Sequence, residues 1–186
     1  MQDDTELVRL ALEEDHQAYA RLVDKYKGKI FAFLYRMLGQ AEDAQDMAQE
    51  VFTKVYFQLN KFRPNSNFSA WLYRMAANHC LDELRRQKRS VQTTEEELEL
   101  IDAETPEDVF LQKEQKQMLL RQVMGLEEEY RLVVVLRYID QLSYREISET
   151  MAIPMTTVQM RLHRARKKLR DGLERGGTFY DEMSHI

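Results

Sequence analysis

The 186-residue sequence contains one cysteine, three prolines, six glycines and four histidines. A single cysteine, Cys80, leaves no disulfide framework and no cysteine-based zinc finger. So few prolines and glycines exclude collagen-like and Pro/Gly-rich disordered chains, and 44% hydrophobic residues are too many for wholesale disorder. No apolar run approaches the roughly 18 residues of a membrane span, and the start Met1–Leu10 is acidic where a secretory signal is basic. These absences predict a soluble, cytoplasmic protein without direct membrane insertion. Four histidines and one cysteine show no paired ligand spacing. That predicts no metal, no cofactor and no catalytic residues, so an enzyme is the least supported class.

What the sequence has is charge, unevenly placed. The totals are 27 Lys+Arg against 32 Asp+Glu, net −5, which as an average argues against a simple polycationic nucleic-acid binder. Divided along the chain, residues 1–60 carry −4, 61–90 carry +5, 91–108 carry −8, 109–150 carry −1, 151–175 carry +5 and 176–186 carry −2. Two basic blocks, each closing a helical pattern, suggest two contacts with nucleic acid. The stretch between them, from Ser90 to Pro106, is acidic and weakly periodic, which predicts a flexible linker and a domain boundary. That linker is either a solubilising hinge or an acidic segment that mimics nucleic acid or fills a basic channel on a partner.

Periodicities near 3.6 predict an all-α fold of two small helical domains. In residues 41–59, Ala44, Met47, Ala48, Val51, Phe52, Val55 and Leu59 make one apolar stripe, and Glu42, Asp43, Asp46, Gln49, Glu50 and Thr53 face away. A following helix is expected to start with Ser69 as its N-cap. It would bury Leu72, Tyr73, Ala76, Ala77, Cys80, Leu81 and Leu84 and expose Trp71, Arg74, Met75, Asn78, Asp82, Arg85, Arg86 and Arg89. Aromatic-rich helices over 5–13 and 17–38 complete the first core. In the second half, Pro106-Glu107-Asp108 opens a helix expected to reach about Met124. The run Leu132–Leu136 fits a strand or a buried helix by periodicity alone, and its flanks favour the helix.

Residues 142–170 carry the most specific local signal. Ser143 and Glu146 fit a capping box opening a short helix through about Met151. Ile153-Pro154 ends it, and Thr156 or Thr157 then caps a longer basic helix with Val158, Leu162, Ala165 and Leu169 inward. Short helix, tight turn and long basic helix make a DNA-binding helix-turn-helix, whose outward residues are Thr156, Gln159, Met160, His163, Arg164, Lys167 and Arg170. An αα-hairpin with a solvated basic face is the plainer alternative.

Three motifs then resemble one family. Glu42-Asp43-Ala44-Gln45-Asp46-Met47-Ala48-Gln49-Glu50-Val51-Phe52 is similar to region two of bacterial sigma factors, and Phe68-Ser69-Ala70-Trp71-Leu72-Tyr73-Arg74-Met75-Ala76-Ala77-Asn78 to the promoter-melting segment after it. Leu142–Ile147, Thr157-Val158 and Arg161–Arg166 resemble region four. With only these two regions, the chain resembles the extracytoplasmic-function (ECF) subfamily over roughly residues 5–172. The resemblance implies a region 2 domain over 1–90, a linker over 91–108, a region 4 domain over 109–175 and a tail over 176–186.

It also implies roles. Asp43, Asp46, Gln49 and Glu50 would meet the basic coiled coil of the β′ clamp of core RNA polymerase, with the β flap as a second polymerase contact. Asn65, Ser66, Asn67, Trp71, Arg74, Asn78, Arg85, Arg86 and Arg89 would hold the −10 element, where unstacked bases need a platform and phosphate-binding cations. Phe62, Phe68 and Trp71 are equally suited to core or platform. Thr156, Thr157, Gln159, Met160, Arg161, His163, Arg164 and Lys167 would read the −35 element of promoter DNA. An anti-sigma factor, in this family often membrane-anchored, is the further partner implied.

The sequence departs from the family where relatives often carry Gly before Thr-Val, then Lys and Ser or Thr before Arg. Here those positions hold Thr156, Gln159 and Met160. Gln159 suits a bidentate contact to adenine and Met160 an apolar contact to a thymine methyl, so no −35 preference transfers from relatives. The alternative function is a stand-alone helix-turn-helix regulator with a sensing or dimerising first domain.

Overall fold

The computed structural model describes residues 4–63, 66–90 and 118–176, and no strand occurs among them. The first half contains α1 (Asp4–Leu12), α2 (His16–Leu38), α3 (Ala41–Gln58) and α4 (Phe68–Ser90), with a 3-10 turn at Leu59–Lys61. The second half contains α5 (residues 118–124), α6 (Glu128–Val134), a π-helical turn at Val135–Ile139, α7 (Tyr144–Met151) and α8 (Met155–Gly176). The predicted linker and tail, and the helix entry at Pro106, lie outside the described residues.

Helix α2 is central to the first half. Asp15 starts it, its carboxylate accepting from the N–H groups of Gln17 at 2.9 Å and Ala18 at 3.1 Å. Gly39 stops it in the left-handed conformation, φ 86°, which glycine adopts without steric penalty. Between the caps, Leu22, Tyr26, Ile30, Phe33, Leu34 and Met37 are buried in a helical stripe that packs on α1, α3 and α4. The stripe predicted for α3 is buried at Ala44, Met47, Ala48, Val51 and Val55, with Phe52 half-buried. Helix α4 differs from expectation at its start. Asn67 caps it, accepting from the N–H of Ala70 at 3.1 Å, so Ser69 lies inside the first turn. Phe68, the first helical residue, is buried.

The run Leu132–Leu136 is helical, passing from α6 into the π turn, and every residue in it is buried. A helix apolar all round has no side to leave in water. It is covered by α8 on one side and by α2 and α4 on the other, so the two halves share one core.

Two polar groups are trapped where the halves meet. The Arg131 guanidinium, only 9% exposed, donates to the carbonyl of Met37 at 2.5 Å, of Leu126 at 3.2 Å and of Met124. Met37 lies at the C-terminal end of α2, where unpaired carbonyls make a negative pole that favours a cation. The Tyr73 hydroxyl of α4 donates to Asp140 Oδ1 at 3.0 Å, while the other Asp140 oxygen has no hydrogen-bond partner. Burial pushes the Asp140 carboxyl up to about 6; the Tyr73 hydrogen bond and the Arg36 and Lys29 charges oppose that shift. A pair between exposed Lys88 and half-buried Glu128, at 2.5 Å, also links the halves.

Asp140 makes the stability of the packed halves depend on pH. Its folded value lies above the roughly 3.9 of an exposed aspartate, so between the two the folded chain keeps a proton that the unfolded chain has released. Stability contributed here falls as pH rises from about 4 to about 6 and is flat above. Asp140→Asn keeps an acceptor for Tyr73 and removes the buried charge. In urea unfolding, its stability relative to the wild type is expected to rise across that window and then level off.

Candidate nucleic-acid and partner interfaces

Helix α8 is built as a two-sided element. Val158, Leu162, Ala165 and Leu169 are buried, as their spacing predicts. Thr156, Gln159, Met160, His163, Arg164, Lys167 and Arg170 are all exposed on the opposite side. Two residues implied by the resemblance sit off this face. Thr157 is half-buried, and Arg161 is tied to Glu129 of α6 at 2.6 Å, a contact that fixes α8 against α6. Neither threonine caps the helix. The N–H groups of Thr157 and Val158 donate to the Pro154 carbonyl at 2.9 and 3.1 Å, placing Pro154 at the N-cap and both threonines in the first turn. Proline fits there because it needs no N–H partner and fixes its own φ.

The preceding helix and turn orient α8. Ser143 and Glu146 form the full capping box of α7: the Glu146 N–H donates to Ser143 Oγ at 3.2 Å, and the Ser143 N–H to Glu146 Oε2 at 2.8 Å. Ala152 then turns the chain in the left-handed region at φ 52°, and Ser148 Oγ donates to the Ile153 carbonyl at 2.6 Å.

On α3, Asp43, Asp46, Gln49 and Glu50 are exposed together, as expected from the stripe behind them. Glu50 is also held from α4, its Oε2 lying 2.5 Å from His79 Nε2, with Lys54 Nζ 2.8 Å from the other ring nitrogen. Sequence reasoning missed Phe57, which is 74% exposed. Its signal was there: 43, 46, 50, 53 and 57 follow one helical stripe, so Phe57 continues the acidic row.

On α4, Arg74, Asn78, Arg85 and Arg86 are exposed, and Arg85 and Arg86 pair along the helix with Asp82 and Glu83 at 3.4 and 2.8 Å. The Arg85–Asp82 pair, exposed on both sides, contributes little. Ser66 and Asn67 are exposed before the helix; Asn65 and the Arg89 side chain lie outside the described residues. The structure decides the aromatics. Phe62 and Phe68 are 5% and 3% exposed and belong to the core. Trp71 is half-buried, its ring 5.5 Å from that of Phe62 and 5.9 Å from that of Phe68, so part of it stays at the surface.

Cys80 is buried and its thiol is pushed up to about 12 by burial, which keeps it protonated and unreactive. Among the described residues, no group of three or more His, Cys, Asp or Glu is placed to hold a metal, and no helix is long and apolar enough to cross a membrane.

The described residues thus form two helical modules, the second ending in a helix-turn-helix. Residues 22–90 match Sigma-70 region 2, and residues 116–169 match Sigma-70, region 4. The ECF RNA polymerase sigma factor SigW of Bacillus subtilis is 38% identical over 86% of this chain and 90% of its own. CnrH, solved in complex with the cytosolic domain of CnrY, shares the fold at TM-score 0.71 and 23% identity, covering 94% of this chain and 99% of that one. The sigma factor RpoE of Bartonella quintana, solved with the anti-sigma factor NepR, does so at TM-score 0.69 and 20% identity, covering 82% and 94%. The chain belongs to the ECF sigma factors of RNA polymerase. It directs promoter-specific initiation as part of the polymerase, which sets aside the stand-alone regulator.

Ser143→Ala removes the acceptor of the α7 cap. It is expected to destabilise the second module by about 1 kcal/mol, measured by chemical unfolding.

Proposed function

We propose that three exposed helix faces divide the work of initiation. Asp43, Asp46, Gln49 and Glu50 dock α3 on the basic coiled coil of the polymerase β′ clamp, and the second module meets the β flap. A carboxylate row opposite arginines contributes register and association rate more than raw affinity. The second face belongs to α4 and the loop before it. Ser66, Asn67, Arg74, Asn78, Arg85 and Arg86, with Asn65 and Arg89, hold the opened −10 strand, and the exposed part of Trp71 offers a base something to stack on. On α8, Thr156, Gln159, Met160 and His163 face bases of the −35 element, while Arg164 and Lys167 meet phosphates.

The observation that supports this reading most directly is the sorting of charge among amphipathic helices. The exposed side of α3 is acidic where a protein partner is expected, and the exposed sides of α4 and α8 are basic where DNA is. The chain acts in the cytoplasm without catalytic chemistry or a cofactor of its own. Its third partner is an anti-sigma factor that covers these faces; RpoE, similar in fold, was solved in complex with the anti-sigma factor NepR.

The test is transcription in vitro with core polymerase on a genomic fragment library, with start sites mapped. Starts that require this chain are expected to share two spaced elements. In the same assay, Asp46→Lys with Glu50→Lys is expected to abolish polymerase association and transcription while helix content stays unchanged; undiminished association overturns the clamp assignment. Arg164→Ala and Lys167→Ala are each expected to weaken promoter binding across sequences. Each lost phosphate contact should reduce the slope of log affinity against log salt by about 0.9. An unaltered slope removes those phosphate contacts.

A further inference from the structure

Seven large hydrophobic side chains are markedly exposed among the described residues, and two of them, Met155 at 49% and Met160 at 43%, lie on the first turns of α8. The rest of that outward surface is polar or basic: Thr156, Gln159, His163, Arg164, Lys167 and Arg170. The core does not account for the methionines, because Val158, Leu162, Ala165 and Leu169 already fill the inner side. At about 100° and 1.5 Å per residue, Met155 and Met160 stand about 140° apart around the axis and about 7.5 Å apart along it. Thr156 and Gln159 fall within the arc between them. A polar centre bracketed by two flexible thioethers therefore occupies the end of the helix that enters the groove.

We propose that Met155 and Met160 read thymine through its C5-methyl group, on either side of the base contacted by Gln159. The proposal rests on α8 being the −35 helix and adds the chemistry of what it reads. In the major groove the thymine methyl is the apolar feature of a base edge, and adenine offers the paired acceptor and donor that suit glutamine. Methionine is unbranched and polarisable, and it adapts to a small methyl at a wet interface better than a stiff β-branched side chain. Charge supports the same occupant. Arg164, Lys167 and Arg170 continue the face toward its C-terminal end, so the surface that presents the methionines also attracts phosphates. The preferred element therefore has thymines, on one strand or the other, flanking an adenine.

Uracil pairs as thymine does and lacks only the methyl. Promoter duplexes with each −35 thymine replaced in turn by uracil are to be bound by the full chain with core polymerase. Affinity is expected to fall about fourfold at two positions, each the effect of one buried methyl. Met155→Ala or Met160→Ala should each abolish the uracil effect at its own position and leave it at the other. Equal binding of thymine and uracil duplexes at every position overturns the proposal and leaves a protein partner as the occupant of the methionines. Arg164→Ala separates the two levels. If it weakens binding while uracil is silent, only the methyl reading fails; if it has no effect either, the assignment of α8 to DNA fails.

Discussion

Leu132–Leu136 offer no polar side to water, and that constraint organises the molecule. The helix that carries them needs cover all round, and α8 supplies only one side of it. The other side is closed by α2 and α4 of the first module, so the second module completes its core by borrowing from the first. Everything at the junction follows from that sharing. Arg131, adjacent to the run, is drawn out of water with it and finds the carbonyl pole at the end of α2. Asp140, just beyond the run, is buried against Tyr73 and is harder to ionise for the same reason.

The buried polar groups at this junction are incompletely paired. Arg131 Nε and Asp140 Oδ2 have no hydrogen-bond partner, as is also true of Thr150 Oγ1 in α7, and the Arg131 cation is hydrogen-bonded by carbonyls while the Glu128 carboxylate acts on it through charge alone. A buried charge that is not fully compensated is weak evidence for stability. The module cores are, by contrast, almost wholly apolar. At the joint, packing and polar satisfaction therefore conflict.

The outward faces are set by their inner sides. The acidic row of α3 is exposed because Ala44, Met47, Ala48, Val51 and Val55 commit the other side to the core. The face of α8 is presented by the same logic, with the α7 capping box and the Ile153-Pro154 turn fixing its entry angle. Arg161 belongs to the family run, yet its phase places it beside Glu129, where it braces the helix.

Fold class, the buried and exposed sides of α3 and α8, and the α7 cap were legible in the sequence, because helical periodicity and capping are local and repeat every few residues. The split of a net charge of −5 into acidic and basic blocks was legible for the same reason. The caps of α4 and α8 were not. Asn67 and Pro154 hold those ends, the Asn67 side chain accepting from the Ala70 N–H and the Pro154 carbonyl taking the first N–H bonds. Nor could the sequence decide whether Phe62, Phe68 and Trp71 belong to core or surface, or that Tyr73 meets Asp140. Those are contacts between residues distant along the chain, and spacing carries no information about which of two apolar surfaces a ring will find. The sequence by itself determined which side of each helix faces inward; only the tertiary structure decided what waits there.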